Sequence, residues 1–203
     1  MTTTPARPYH HGDLRRALVT AATELAAAGG SDGIGLREAA RRIGVSPSAA
    51  YRHFPSRDGL LAYAGSEARE ALAKRMLATT AKIRGSSPRA AGARFRATGR
   101  AYIEFALDEP GLFEIAFRRC APDLYVADDP SPYAVLSDAL DALDRAGLLA
   151  VPRAAAEVPA WAAVHGAAIL LGEGMLPRDD REAIIEATID MVGDGLLRSQ
   201  PRA

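Results

Sequence analysis

The residues best equipped for chemistry stand near the start of the chain, where His10, His11 and Asp13 lie almost side by side. Two imidazoles beside a carboxylate could bind a metal or act as a general acid and base. What would complete either arrangement is missing from the sequence. There is no His-x-x-x-His pair on one helix, no glycine-rich phosphate loop opening a helix after a strand, and no Gly-x-Ser-x-Gly elbow. His165 sits in an apolar run, and the single cysteine, Cys120, has no partner for an internal disulfide. The sequence therefore predicts no enzyme, no metal and no cofactor. The histidines have to be read through the elements that carry them.

Those elements are helices. Of 203 residues 48% are apolar, 25% charged and only 6% aromatic, an alanine-rich mixture that favours helix over sheet. Apolar residues recur at helical spacing, and no long stretch alternates with period two. An all-α fold of about nine helices follows: from 12–13 to 29–30, 36–43, 47–54, 57–83, 88–108, 110–118, 132–146, 152–174 and 178–198. Ser-Pro at 46–47, 87–88 and 131–132 marks three of the starts. Serine can accept a free N–H of the first turn, and proline has none to lose. A long loop is expected over 118–130. The apolar run Ala160–Gly172 is too short to span a bilayer, and no secretion signal opens the chain, so a cytoplasmic protein without a membrane partner is expected.

Net charge is zero, but residues 1–60 hold eight arginines against five acids, leaving the remainder acidic. One lobe is thus suited to phosphate. Within it, residues 33–61 read GIGLREAARRIGVSPSAAYRHFPSRDGLL. Two short helices joined through Gly44 have the dimensions of a helix-turn-helix, whose second helix enters the major groove. Ala39, Ile43, Val45, Ala50 and Phe54 can form its small core. Arg37, Arg41, Arg42, Ser48, Tyr51, Arg52 and His53 then fall outside, where a phenol, a histidine and arginines suit phosphate and sugar. The first helix of the chain opens at Gly12-Asp13, with Asp13 near its positive end, and closes at Gly29-Gly30, while Arg7, His10 and His11 form a basic lead-in.

The run GVSPSAAYRHFPSRDGLL closely resembles the DNA-binding region of TetR-family transcriptional regulators, matching at Gly44, Val45, Ser46, Tyr51, His53, Phe54 and Arg57. The resemblance implies DNA contacts from Arg37, Ser46, Pro47, Ser48, Ala49, Tyr51, His53 and Arg57. Pro47, Ser48 and Ala49 would face base edges, and Tyr51, His53 and Arg57 phosphates. Leu36 departs from the usual threonine, and Ala50 from the usual Leu or Ile. It also implies a homodimer on a pseudo-palindromic double-stranded operator, released by an unknown small-molecule effector, with a DNA-binding domain at 1–56 and a ligand-binding and dimerisation domain at 57–203. Repression is the family's commoner mode. Trp161, His165 and Gly166 resemble a recurrent C-terminal type within it.

In that larger body Phe95, Tyr102, Phe105, Phe113, Phe117, Trp161 and His165 are candidates for an apolar cavity, with core packing as the alternative. Two helices that are apolar nearly all round suggest a four-helix dimer interface through Val164, Ala167, Leu171, Ile185, Ile189, Val192 and Leu196. The competing readings are a small-ligand-binding helical protein and an all-α enzyme, both without DNA binding.

Overall fold

The computed structural model describes residues 11–118 and 126–198. Arg7, His10 and Cys120, which the sequence singled out, lie outside them. Among the described residues nine α-helices follow one another, with no β-strand: α1 (His11–Gly29), α2 (Leu36–Arg42), α3 (Pro47–His53), α4 (Arg57–Thr80), α5 (Pro88–Asp108), α6 (Pro110–Ala116), α7 (Pro132–Arg145), α8 (Arg153–Gly172) and α9 (Arg181–Leu196). Every one coincides with an expected helix to within a few residues. The three Ser-Pro starts are caps as anticipated: Ser46, Ser87 and Ser131 accept from the backbone N–H of Ala49, Ala90 and Ala134. Ser56 caps α4 in the same way through Gly59.

The core has one layer in the N-terminal part and two in the body. Leu18, Ala22, Ala39, Ala50, Phe54 and Leu60 close the first, joined by Ile115 and Ala116 of α6. Tyr102, Ile103, Phe105, Phe113, Val164 and Ile185 belong to the second, and Phe95, Leu136, Leu140, Leu143 and Ala160 to the third. Helix α4 packs against α1, α5, α6 and α7, and so touches both ends of the molecule. Helix α8 is long and apolar enough to cross a membrane by length and composition. The apolar run suggests otherwise because it begins at Ala160, whereas the helix starts about two turns earlier, at Arg153. Here α8 packs against α5, α7 and α9.

Short helix α6 is wedged between the two parts by close backbone approaches. A Cβ on Gly111 would lie 2.0 Å from the carbonyl oxygen of Ala26 in α1, and one on Gly65 of α4 would lie 2.7 Å from the carbonyl oxygen of Ile115. Only glycine permits both contacts, because any side chain would collide with a backbone already fixed in a helix. Glu114 adds a polar tie: its carboxylate accepts from the Ser31 N–H at 3.1 Å and the Ser31 hydroxyl at 2.5 Å.

Candidate nucleic-acid interface and effector cavity

The short helices α2 and α3 owe their pairing to a left-handed residue, Gly44 at φ 74°, which lets the Val45 N–H reach back to the Ala40 carbonyl at 2.9 Å. Leu36 is buried, so the residue departing from threonine packs inward, and Gly35 caps α2 without a side chain. Ala50 is fully buried beneath α3. Its small side chain brings α3 close to α1 and α2.

This packing turns Arg37, Arg41, Arg42, Ser46, Pro47, Ser48, Tyr51 and Arg52 to the surface, with Tyr51 45% exposed, while Ala49 and His53 are half-buried. Ser46 Oγ and Ser48 Oγ lie 3.0 Å apart at the exposed start of α3. Arg41 pairs with Glu38 and Arg42 with Glu24. Arg57 is placed differently from its expected phosphate role. Its guanidinium donates to the carbonyls of Ile34 at 2.6 Å and Ser31 at 2.5 Å, so it pins the α1–α2 connection to the start of α4. Charge-assisted bonds to two carbonyls hold it there more firmly than solvent would.

Arg15 was not foreseen. It lies over the rings of Phe54 and Tyr63, 4.6 and 4.4 Å from their centroids, and donates to the His53 carbonyl at 3.4 Å. A cation held over two rings orients the end of α3. The only sequence signal was an arginine among leucines on the first helix.

In the body the aromatic residues split into three groups. Phe105 is buried core. Tyr102, Phe113, Phe117, Trp161 and His165 pack on one another, with centroids 4.9 Å apart for Phe113–Phe117 and 5.0 Å for Phe117–His165. Tyr102 Oη lies 2.8 Å from His165 Nδ1. Phe95, Tyr102 and Trp161 line a cavity of about 30 Å³ between α5, α8 and α9, whose walls include Met76, Val164, Ile189 and Val192. That is room for about two waters. Phe113, Phe117 and His165 stand behind this cavity rather than in its wall.

Val164, Ala167, Leu171, Ile185, Ile189 and Leu196, expected between two subunits, are instead buried within the protomer, with Val192 half-buried beside them. The stripe with the strongest helical periodicity is the one a helix turns toward its own core, and that is the stripe the sequence displayed. The outward stripes are different. On α9, Ala183, Ala187, Met191 and Gly195 are exposed at every fourth position, and on α8 Val158, Ala162 and Leu170 are exposed.

Burial raises the pKa of the Tyr102 phenol and lowers that of the His165 imidazole, so the pair is uncharged near neutrality. The unfolded chain protonates histidine near pH ~6.5. Since the folded value lies lower, the stability linked to His165 is present above pH ~6.5 and is lost as pH falls toward the folded value. Thermal melts between about pH 7.5 and about pH 5 should show this loss, and His165→Gln should flatten that part of the curve.

Residues 18–64 match the family profile described as bacterial regulatory proteins, tetR family, and residues 95–192 match the tetracyclin repressor-like C-terminal domain. The two matches meet the two halves of one architecture and together cover most of the chain. The chain belongs to the TetR family. TetR-family proteins are DNA-binding transcriptional regulators, and α2 and α3 form the helix-turn-helix of this one. Solved structures agree in fold. A protein of unknown function from Rhodococcus sp. RHA1 is 28% identical with a TM-score of 0.76, the alignment covering 95% of this chain and 100% of that one. A TetR-family regulator from Pectobacterium atrosepticum is 22% identical with a TM-score of 0.69 over 98% and 100% of the two chains. RolR, solved in complex with resorcinol, is 15% identical with a TM-score of 0.59 over 95% and 97%. No curated protein sequence matches this TetR-family chain.

Proposed function

We propose that this regulator is a repressor that binds a pseudo-palindromic operator as a homodimer in the cytoplasm and leaves it when a small molecule enters the body. The observation that carries the reading is the exposed polar face of α3, with Ser48, Tyr51 and Arg52 outward on a helix whose other side is locked by Ala50 and Phe54. Arg37 and Ser46, with Pro47 and Ala49, complete the surface offered to a groove. Tyr51 and His53 are proposed to meet phosphates, and Arg57 to act by positioning the start of α4. Pro47, Ser48 and Ala49 offer few hydrogen bonds to bases, so groove shape and methyl contacts would carry much of the specificity.

Operator fragments selected from random DNA and followed by fluorescence anisotropy test this directly. Affinity should fall steeply with salt, and Tyr51→Ala should weaken binding about tenfold, or about 1.4 kcal/mol. An affinity indifferent to both would remove the DNA reading.

The dimer is proposed through the outward stripes of α8 and α9, corrected from the inward ones. Exposed apolar positions repeating every fourth residue on two adjacent helices leave a face that a second copy would cover. Two recognition helices would then stand about 34 Å apart, one DNA turn. Ala187→Glu should shift sedimentation from dimer to monomer and abolish operator binding while leaving the helix content intact. A monomeric unaltered protein would contradict this.

Release is proposed to run through α4 and α6. Phe113 of α6 and Phe117 just after it meet the ring cluster behind the cavity, while Gly111 and Glu114 of α6 meet α1 and Ser31. A cavity of about 30 Å³ must widen to admit an effector, and the displaced rings bear on α6. Couplings of this kind amount to about 1–3 kcal/mol. That RolR, of the same fold, holds resorcinol supports a small-molecule effector.

A further inference from the structure

We propose that the effector is an uncharged, mostly apolar molecule carrying at most one hydrogen-bonding group, seated between α5, α8 and α9. This rests on the ligand-responsive reading above and adds the chemical class of what is sensed. The cavity wall includes Phe95, Trp161, Val164 and Ile189, with Thr98 and Tyr102 as its hydroxyl-bearing members and Arg96 as its charged one. The Thr98 hydroxyl is spent on the Arg94 carbonyl at 2.9 Å. Tyr102 is engaged with His165 and retains one further hydrogen-bonding position on its phenol oxygen.

The charged residue at the cavity, Arg96, is held by Asp190 and lies 3.8 Å from Glu186. Its charge is already balanced by those two carboxylates, neither of which is in the wall, so the cavity offers an entering anion no unpaired cation and an entering cation no carboxylate. Among the described residues no fully buried side-chain nitrogen or oxygen lacks a partner. An ion would lose its hydration without replacement, whereas an apolar ring would gain contact with apolar walls.

Space for such a ring comes from movable groups. The end of the Ile189 side chain occupies the place where a Cβ on Gly99 would sit, 2.7 Å away, and Met76 is unbranched and flexible. Rotating both enlarges the cavity without moving a helix backbone far.

Trp161 is the sole tryptophan of the chain and stands in the wall, so its emission reports occupancy directly. The intact protein is titrated with benzyl alcohol, benzoate and benzylammonium, which share one ring and differ in charge. Benzyl alcohol is expected to give a saturable change at a concentration about tenfold or more below either ion. Ala160→Leu, which fills the wall from α8, should remove that response. Either ion saturating at an equal or lower concentration overturns the inference, as does no saturable response to any of the three. A response to benzyl alcohol that survives in a folded Ala160→Leu overturns it as well. Should that variant melt early, the three compounds on the unaltered protein decide alone. Operator release is followed in parallel by anisotropy. Binding of benzyl alcohol without release leaves the ligand class standing and overturns the release reading instead.

Discussion

Gly111→Ala is expected to destabilise the protein by about 3 kcal/mol or more, lowering Tm by roughly 6–12 °C. The added methyl would sit 2.0 Å from the Ala26 oxygen, 2.9 Å from its carbonyl carbon and 3.2 Å from the Gly30 nitrogen. None of these can yield as a flexible side chain would. The Ala26 carbonyl already accepts the Gly30 N–H at 2.8 Å to close α1, so the intrusion both parts α6 from α1 and opens the last turn of α1. Gly92→Ala is the matched control. Gly92 lies inside α5 with nothing within 4 Å of a Cβ, so the same exchange should stabilise by roughly 0.5–1 kcal/mol through the unfolded chain. Calorimetric melts that give both variants the same Tm would show that α6 does not touch α1 as described. Because α6 also carries Phe113 and ends against Phe117, the surviving folded fraction of Gly111→Ala should bind operator with a reduced response to any effector.

Arg69→Met is the second large effect, about 3–5 kcal/mol in urea unfolding. Arg69 projects from α4 under residues 126–128, donating to Asp128 Oδ1 at 2.7 Å, the Val126 carbonyl at 2.8 Å and the Ala116 carbonyl at 2.9 Å. Asp128 is almost wholly buried, with its side chain 2% exposed. Removing the guanidinium takes a charge-assisted bond from a buried carboxylate and a donor from each of two carbonyls, and the cost lies in the desolvation that these bonds had offset. Arg69→Met combined with Asp128→Leu should therefore recover a large share of the loss, since an apolar pair can replace a buried ionic one. If the double variant is less stable than Arg69→Met alone, the ion pair is not the source of the effect.

Both residues show how the sequence and the tertiary structure divide the information. Helix positions were legible because each depends on its own residues. Ser46, Ser87 and Ser131 cap their helices through neighbours three positions on, and the apolar period needs no partner to be seen. The exposed polar surface of α3 was legible for the same reason. Burying Ala50 and Phe54 leaves Ser48, Tyr51 and Arg52 no side but the outside.

What the sequence by itself determined was thus local: nine helices, their starts, and the faces of the two short ones that stay outside. Tertiary packing alone decided how those helices are used. It assigned Arg57 to the carbonyls of Ser31 and Ile34, set Glu114 against Ser31 and put Arg69 beneath the chain near Asp128. It also sorted the two apolar faces of α8 and α9, burying Ile185 and Ile189 and leaving Ala187 and Met191 outside. The physical reason is that helical periodicity fixes which residues share a stripe but not what the stripe meets. A guanidinium serves a phosphate or a carbonyl equally well, and only the positions of distant backbone groups choose between them.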